Sequence, residues 1–373
     1  MNTQQLVDIL SQFNIDGTLE SEVPKTNGNI NKTFIVTYNE NGLRKKYLLQ
    51  KINTNVFVEP HKLMKNINLV TKFIAKKLAV SGDTFHQPLN VILTKDGKYL
   101  YTVKNMAGEK QYYRMYNYIE NSISYDNVND PKIVENAGKA FGNFQKMLAD
   151  YATDEIEETI PDFHNTLVRY KKFINDVKMD ASGRADDVSK EILFVLKRED
   201  DCSVIVDSIR KGQIPERIIH NDTKVNNVMF DKDTGKFLTV IDLDTVMPGY
   251  VGYDYGDGIR SAAAFVKEDD PDFSKVGLNM ELFKAYTDGY LSEVSPYLLQ
   301  SEVNLLGESI KVITLELGMR FLNDYINGDT YFKTDYPEHN LVRARNQFKL
   351  VEDIERKEDE INDYIQKVYA KHR

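Results

Sequence analysis

Residues 218–260 read IIHNDTKVNNVMFDKDTGKFLTVIDLDTVMPGYVGYDYGDGIR. Two apolar, β-rich runs, Val228 to Phe230 and Phe237 to Ile241, flank the turn signal Asp233-Thr234-Gly235, so the centre of the stretch reads as a hairpin. Polar chemistry gathers at the two ends of that hairpin. His220 to Asn227 precede it, and Asp242 and Asp244 follow directly on its second apolar run. Carboxylates at such a place are costly to desolvate unless something pairs with them, which argues against an idle strand end.

The segment from His220 to Asn227 fits H-x-D-x-x-x-x-N. In the phosphoryl-transfer template the aspartate takes the proton of the attacking hydroxyl and the asparagine holds a magnesium ion. A second metal-binding carboxylate follows the next strand, where this chain has Asp242. Magnesium takes oxygen ligands, usually one or two carboxylates together with substrate phosphates, and Asn227 with Asp242 suits that. The pattern alone is weak; linked by a hairpin to a second carboxylate it is specific. On this reading Asp222 is the base, Lys224 meets the transferred group, and His220 holds the loop by hydrogen bonds.

Composition narrows the classes further. The chain has 373 residues, 41% hydrophobic and 28% charged, with a formal net charge of −9. A soft prior of about 150 residues per domain gives two or more domains. An acidic chain is a poor nucleic-acid binder, since that affinity comes from neutralising phosphates. Cys202 is the single cysteine, so it has no disulfide partner and no zinc-type spacing, and an inert buried thiol is expected. The first residues lack the pattern of a signal peptide, and no apolar run approaches the ~18 residues of a membrane span. A soluble, cytoplasmic monomer is expected.

Outward from the hairpin, the N-terminal third is β-rich. Leu6, Ile9, Leu10 and Phe13 recur at helical spacing over residues 3–13. Thr33–Tyr38 and Lys46–Ile52 flank Asn41-Gly42, and Val91–Leu93 and Tyr99–Val103 flank Asp96-Gly97, two hairpin signals. Pro60 opens a helix carrying Leu63, Ile67, Val70 and Ile74. Residues 111–120 read as a final strand and a connection. From residue 131 helices dominate: one stripe runs Ala137, Ala140, Phe141, Phe144, Leu148, another Phe163, Leu167, Tyr170, Phe173, and residues 186–211, 279–326 and 340 onward are helical.

The segments from His220 to Asn227 and from Ile241 to Asp244 resemble the aminoglycoside phosphotransferase and choline kinase superfamily. Within it, Gly256–Arg260, Gly318–Leu322 and Tyr336–Arg343 are most similar to the bacterial N-acetylhexosamine 1-kinases. The resemblance implies an α/β (α+β) fold of two lobes like that of the protein kinases. Residues 1–119 would form a small antiparallel-sheet lobe and 120–373 a larger helical lobe, with ATP and magnesium in the cleft. It implies that the phosphate-covering loop is residues 27–33, with Asn31 and Thr33 toward the nucleotide and Asn29 toward the sugar. Gln50 occupies the position of the kinase lysine, and the helix from Pro60 offers no Asp or Glu to pair with such a lysine. Adenine would meet the connection at Tyr118, Ile119 and Glu120. Asp244, Arg320 and Tyr331, with Asp222, would face the sugar. Arg260, Arg320 and Arg343 are expected near the cleft, where they would oppose a polycationic acceptor. Rival readings are another acceptor of the same superfamily (an aminoglycoside, choline, methylthioribose or homoserine) and a non-catalytic pseudokinase, which Gln50 motivates.

Overall fold

A computed structural model describes residues 3–25 and 30–373. Helix α1 (Thr3–Leu10) is shorter than the periodicity suggests, because Phe13 leaves it to bridge Thr94. Strands β1 (Thr18–Lys25), β2 (Lys32–Glu40) and β3 (Leu43–Lys51) form an antiparallel meander. Asn41 and Gly42 turn β2 into β3 with φ of 55° and 86°, the positive pair that a tight two-residue hairpin requires. Helix α2 (Pro60–Ser81) starts on its proline and ends at Gly82, whose φ is 70°.

The second expected hairpin is wired differently. Strands β4 (Val91–Ile92) and β5 (Tyr101–Lys104) both pair with β6 (Lys110–Asn117) and not with each other. The turn at Asp96-Gly97 is real, since the Thr94 amide bonds the Lys98 carbonyl, but it joins neighbours of a common third strand. The sheet order is β1-β2-β3-β6-β4, with β5 beside β6. Alternation along β6 sends Tyr113 and Met115 to a core shared with α1, and Arg114 and Tyr116 to the opposite face.

The other lobe is helical around two small sheets. Its elements are β7 (Ser122–Ile123), α3 (Pro131–Leu148), α4 (Thr166–Met179), α5 (Ser189–Leu196), α6 (Asp201–Arg210), β8 (Arg217–Ile219), β9 (Val228–Asp231), β10 (Phe237–Val240), β11 (Met247–Gly249), α7 (Val251–Ala262), α8 (Met280–Val294), α9 (Gln300–Val303), α10 (Leu306–Ile326), α11 (His339–Arg356) and α12 (Glu358–His372). The run expected as helical over 186–211 breaks between α5 and α6. The hairpin of residues 228–240 forms as read, β9 against β10. Helices α3 and α8 cross so closely that a Cβ on Gly289 would lie 2.0 Å from the Glu135 carbonyl oxygen, so glycine is required there. Cys202 is buried, and burial pushes its thiol up to about 12, consistent with an inert residue. Among the described residues, no helix is long and apolar enough to cross a membrane.

One apolar core runs through both lobes. Leu63, Met64, Ile67 and Val70 of α2 and Tyr116 of β6 belong to the same buried cluster as Phe141, Tyr255 and Leu291 of the helical lobe. Asn66 of α2 donates to the carbonyls of Glu157 and Val246, tying α2 directly to the large lobe.

Candidate active site

Between the lobes lies a cleft of about 1360 Å3. Asp222, Lys224, Asn227, Asp242 and Asp244 all line it, brought together by the hairpin that separates them in sequence.

The loop from His220 is held from below by α7. The Asp254 carboxylate accepts from the backbone amides of His220 (2.8 Å) and Asn221 (2.7 Å), and from Gln145 Nε2 (2.8 Å). One turn on, Asp257 accepts from the Thr223 amide at 2.9 Å and from Arg260 Nε at 3.0 Å. Burial opposes ionisation of Asp257, but Arg260 and Lys224 outweigh it and hold the carboxyl below its ordinary range. Asn221 takes a left-handed φ of 66°, a conformation asparagine tolerates. His220 is fully buried against Phe141 and Phe144, with Nε2 2.9 Å from the Ile241 carbonyl, so it fastens the loop to the second strand as expected.

Above this base the charged groups sort themselves. Lys224 Nζ lies 2.9 Å from Asp222 Oδ1, and Asp222 holds the ammonium above its ordinary range. Asn227 Nδ2 donates to the Asp222 carbonyl (2.9 Å) and to Asp222 Oδ2 (3.1 Å), which commits the amide nitrogen and leaves its oxygen for a cation. Asp242, at φ 60°, is exposed on the cleft wall. The protein packed around it, then the charges of Asp244 and Asp222, push its carboxyl up to about 7. The donor set at this point is hard oxygen from two elements. Among the described residues, no cluster of three or more His, Cys, Asp or Glu is arranged to hold a metal alone. Asn227 and Asp242 could hold a hard cation whose remaining ligands are phosphate oxygens.

Asn31, Thr33 and Gln50 of the small lobe line the cleft, linked through shared hydrogen-bond partners. Asn31 Nδ2 donates to Asp244 Oδ2 (2.7 Å), and its Oδ1 accepts from the Asn53 amide (2.9 Å). Thr33 Oγ1 accepts from Gln50 Nε2 at 3.1 Å, and Gln50 Oε1 accepts from Arg114 Nε at 2.9 Å. Arg114 in turn grips Asp244 with both terminal nitrogens, Nη2 at 2.9 Å. Asp244, read as a sugar contact, is therefore a buried partner of Arg114. Arg114 is the residue that sequence reasoning missed. Tyr118 and Ile119 line the cleft, whereas Glu120 is exposed outside it, and its backbone amide and carbonyl both bond the Gln87 side chain (3.1 Å each). Asn29 lies outside the described residues.

Lys51 is half-buried and absent from the cleft wall, on the opposite face of β3 from Gln50. Lys51→Ala is expected to leave turnover within about twofold, as for a surface change remote from the chemistry. A fall comparable to that from losing Asp222 would overturn the register; steady-state rates decide.

Two of the three arginines require a correction. Arg260 lines the cleft as expected, buried and neutralised by Asp257 and Glu268, whereas neither Arg320 nor Arg343 lines it. Lys267, Glu268, Asp269 and Asp270 line it too, so the argument that arginines exclude a cationic acceptor does not hold. Arg320 stacks among Phe163, Tyr331 and Phe332, at 5.5–6.0 Å from their ring centres. Tyr331 is exposed. This group adjoins His164, whose Nδ1 is 2.9 Å from Glu316 and whose Nε2 is 3.4 Å from the Asn221 carbonyl, so it abuts the catalytic-type loop from outside the cleft.

Comparison with known proteins agrees with this geometry. Residues 26–292 match the model described as "APH: Phosphotransferase enzyme family". Among solved structures, a microcompartment-associated aminopropanol kinase superposes with a TM-score of 0.59 at 15% identity, covering 97% of this chain and 99% of that one. An amicoumacin kinase, solved in complex with AMP-PNP, Ca2+ and Ami, gives 0.59 at 14% identity over 97% and 94%. A choline kinase from Cryptosporidium parvum gives 0.57 at 14% identity over 98% of each. At such identities these likenesses establish a shared fold.

Proposed function

We propose, for a chain that belongs to the APH phosphotransferase enzyme family, that it transfers the γ-phosphate of ATP to the anomeric hydroxyl of an N-acetylhexosamine, giving the sugar 1-phosphate and ADP. The observation that carries the phosphotransferase part is the convergence of Asp222, Asn227 and Asp242 on one cleft. Asp222 orients the acceptor hydroxyl and takes its proton as the new O–P bond forms and the bond to ADP breaks. Asn227 and Asp242 would hold magnesium, which neutralises charge on the phosphate oxygens. Lys224, drawn from Asp222, would meet the transferred group. Tyr118 and Ile119 are the proposed adenine contacts, and Asn31, Thr33 and Gln50 act at the phosphates through the network they form. The lobes meet at residues 119 and 120 on this reading, and the protein works as a monomer in the cytoplasm.

The sugar rests on the resemblance of Gly318–Leu322 and Tyr336–Arg343, and on Arg320 and Tyr331 lying together beside the loop that carries Asp222. Arginine forks and tyrosine hydroxyls suit a neutral, oxygen-rich ligand. Asn29 is carried in the proposal as a sugar contact. One observation favours a second reading: Asp269 and Asp270 also line the cleft, beside Lys267 and the Arg260–Glu268 pair, and their carboxylates suit an amine-bearing acceptor. The deciding experiment offers Mg-ATP with N-acetylglucosamine, N-acetylgalactosamine, glucose, galactose and their 1-O-methyl glycosides, beside choline and an aminoglycoside. Free N-acetylhexosamines are expected to react and the methyl glycosides to be inert. Phosphorylation of the methyl glycosides would remove the anomeric assignment, and turnover confined to the amines would establish the second reading.

A further inference from the structure

The kinase template clamps the nucleotide phosphates with a strand lysine paired to a helix glutamate. Here β3 offers Gln50 in that place, and α2 contains neither Asp nor Glu. The neighbouring strand supplies a cation instead. Arg114 stands opposite Gln50 in the β3–β6 register and is 1% exposed. Each nitrogen of its guanidinium is engaged: Nε on Gln50, Nη2 and Nη1 on the two oxygens of Asp244, and Nη1 also on Met64 Sδ of α2 at 3.8 Å. Asp244 belongs to the segment that carries Asp242, 130 residues along the chain from Arg114. Asn31 closes the circle by donating to Asp244 and accepting from Asn53.

We propose that Arg114 is a positioning residue for the phosphate end of the cleft: its fork fixes Gln50 of the small lobe and the Asp242–Asp244 segment of the large lobe in one geometry, taking over the bridging role of the missing lysine–glutamate pair. The fork is the point of the arrangement. A planar guanidinium sets two parallel bonds to a carboxylate and a third to the amide, which fixes direction as well as distance, and an ammonium cannot do this. The pairing also leaves the local charges in order. Lys224 answers Asp222 and Arg114 answers Asp244. Asp242 remains for a cation brought with the nucleotide. Arg114 touches no reacting atom on this account; it acts through Asp244 and Gln50.

The inference rests on the nucleotide reading of the cleft, so the test separates the two. Removing one partner of a buried ion pair strands the other and destabilises the fold, whereas removing both is tolerated. The informative variant is therefore the double change Arg114→Met with Asp244→Asn, which leaves the local net charge unaltered and removes the fork alone. Thermal melting checks that the full-length protein folds. Calorimetry then measures ADP affinity with and without magnesium. The expected result is a cooperative melt near the parent's, metal-supported ADP affinity lower by about 10–100-fold, the range for losing an outer-shell partner, and metal-free affinity changed much less. Arg114→Lys, which keeps the charge, is expected not to restore the metal response. A folded double variant that binds Mg-ADP within about twofold of the parent overturns the positioning role. A parent that binds no nucleotide overturns the nucleotide reading, and the inference with it.

Discussion

Asp222→Asn is expected to lower kcat by ~10²–10⁴-fold, the usual contribution of a positioned base, with nucleotide affinity level or higher. The substitution preserves shape. The amide oxygen can keep the bond from Asn227 Nδ2, now 3.1 Å to Asp222 Oδ2, so the loop keeps its form. Two things change: the acceptor's proton loses its destination, and Lys224 loses the carboxylate that holds it at 2.9 Å. The freed ammonium is then able to bind phosphate more firmly, so a fall in kcat with a level or lower KM for ATP is the specific signature. Steady-state kinetics with each substrate varied, alongside a thermal melt, gives the answer. Turnover within a few-fold of the parent would remove Asp222 from the chemistry.

The second large effect concerns Asp242. Its backbone sits at φ 60°, where asparagine is tolerated and alanine is strained, so Asp242→Asn isolates the charge from the fold. Loss of one preorganised electrostatic contributor costs about 10²–10³ in rate. The same change relieves a crowded site, because the protein packed around Asp242, then the charges of Asp244 and Asp222, push its carboxyl up to about 7. Without nucleotide or metal the variant is therefore expected to melt no lower than the parent. Its nucleotide affinity is expected to stop responding to magnesium. A variant whose affinity for ADP still rises with magnesium as the parent's does would show that the ligand lies elsewhere.

The local parts of this protein were legible in its sequence. The hairpin from Val228 to Val240, the loop from His220 and the aspartate after the second strand are encoded within 43 consecutive residues, so short-range pattern and turn chemistry suffice. What pattern cannot carry is pairing at a distance. The runs at residues 91–93 and 99–103 flank a true turn, yet each finds its partner in β6, and nothing local distinguishes that from a hairpin. Arg114 left a signal that went unused: an arginine in the strand Gln111-Tyr112-Tyr113-Arg114-Met115-Tyr116, among aromatic residues, needs a buried partner. That partner, Asp244, could not be found without the fold. The arginines of the helical half misled for a different reason. Their number was visible, and Asp257, three residues before Arg260 on its own helix, was a local partner in plain view. What pattern left out is that this pairing neutralises Arg260 in the cleft wall and that Arg320 and Arg343 lie off it.

The apolar core shared by the two lobes bears on how the chain can be divided. Among the described residues, the stretch up to residue 119 contains a sheet and two helices, which looks like a fragment able to stand alone. Yet Leu63, Met64, Ile67 and Val70 belong to one buried cluster with side chains of both the sheet and the helical half, and uncovering even part of such apolar surface costs about 25 cal/mol per Å2. Asn66 of the same helix also donates its amide to carbonyls of the helical half. The core therefore does not divide at the place where the chain passes from sheet to helices. An excised small lobe would present a sticky α2 to solvent, and a nascent chain stalled before α3 would have the same surface uncovered until the helical half was made.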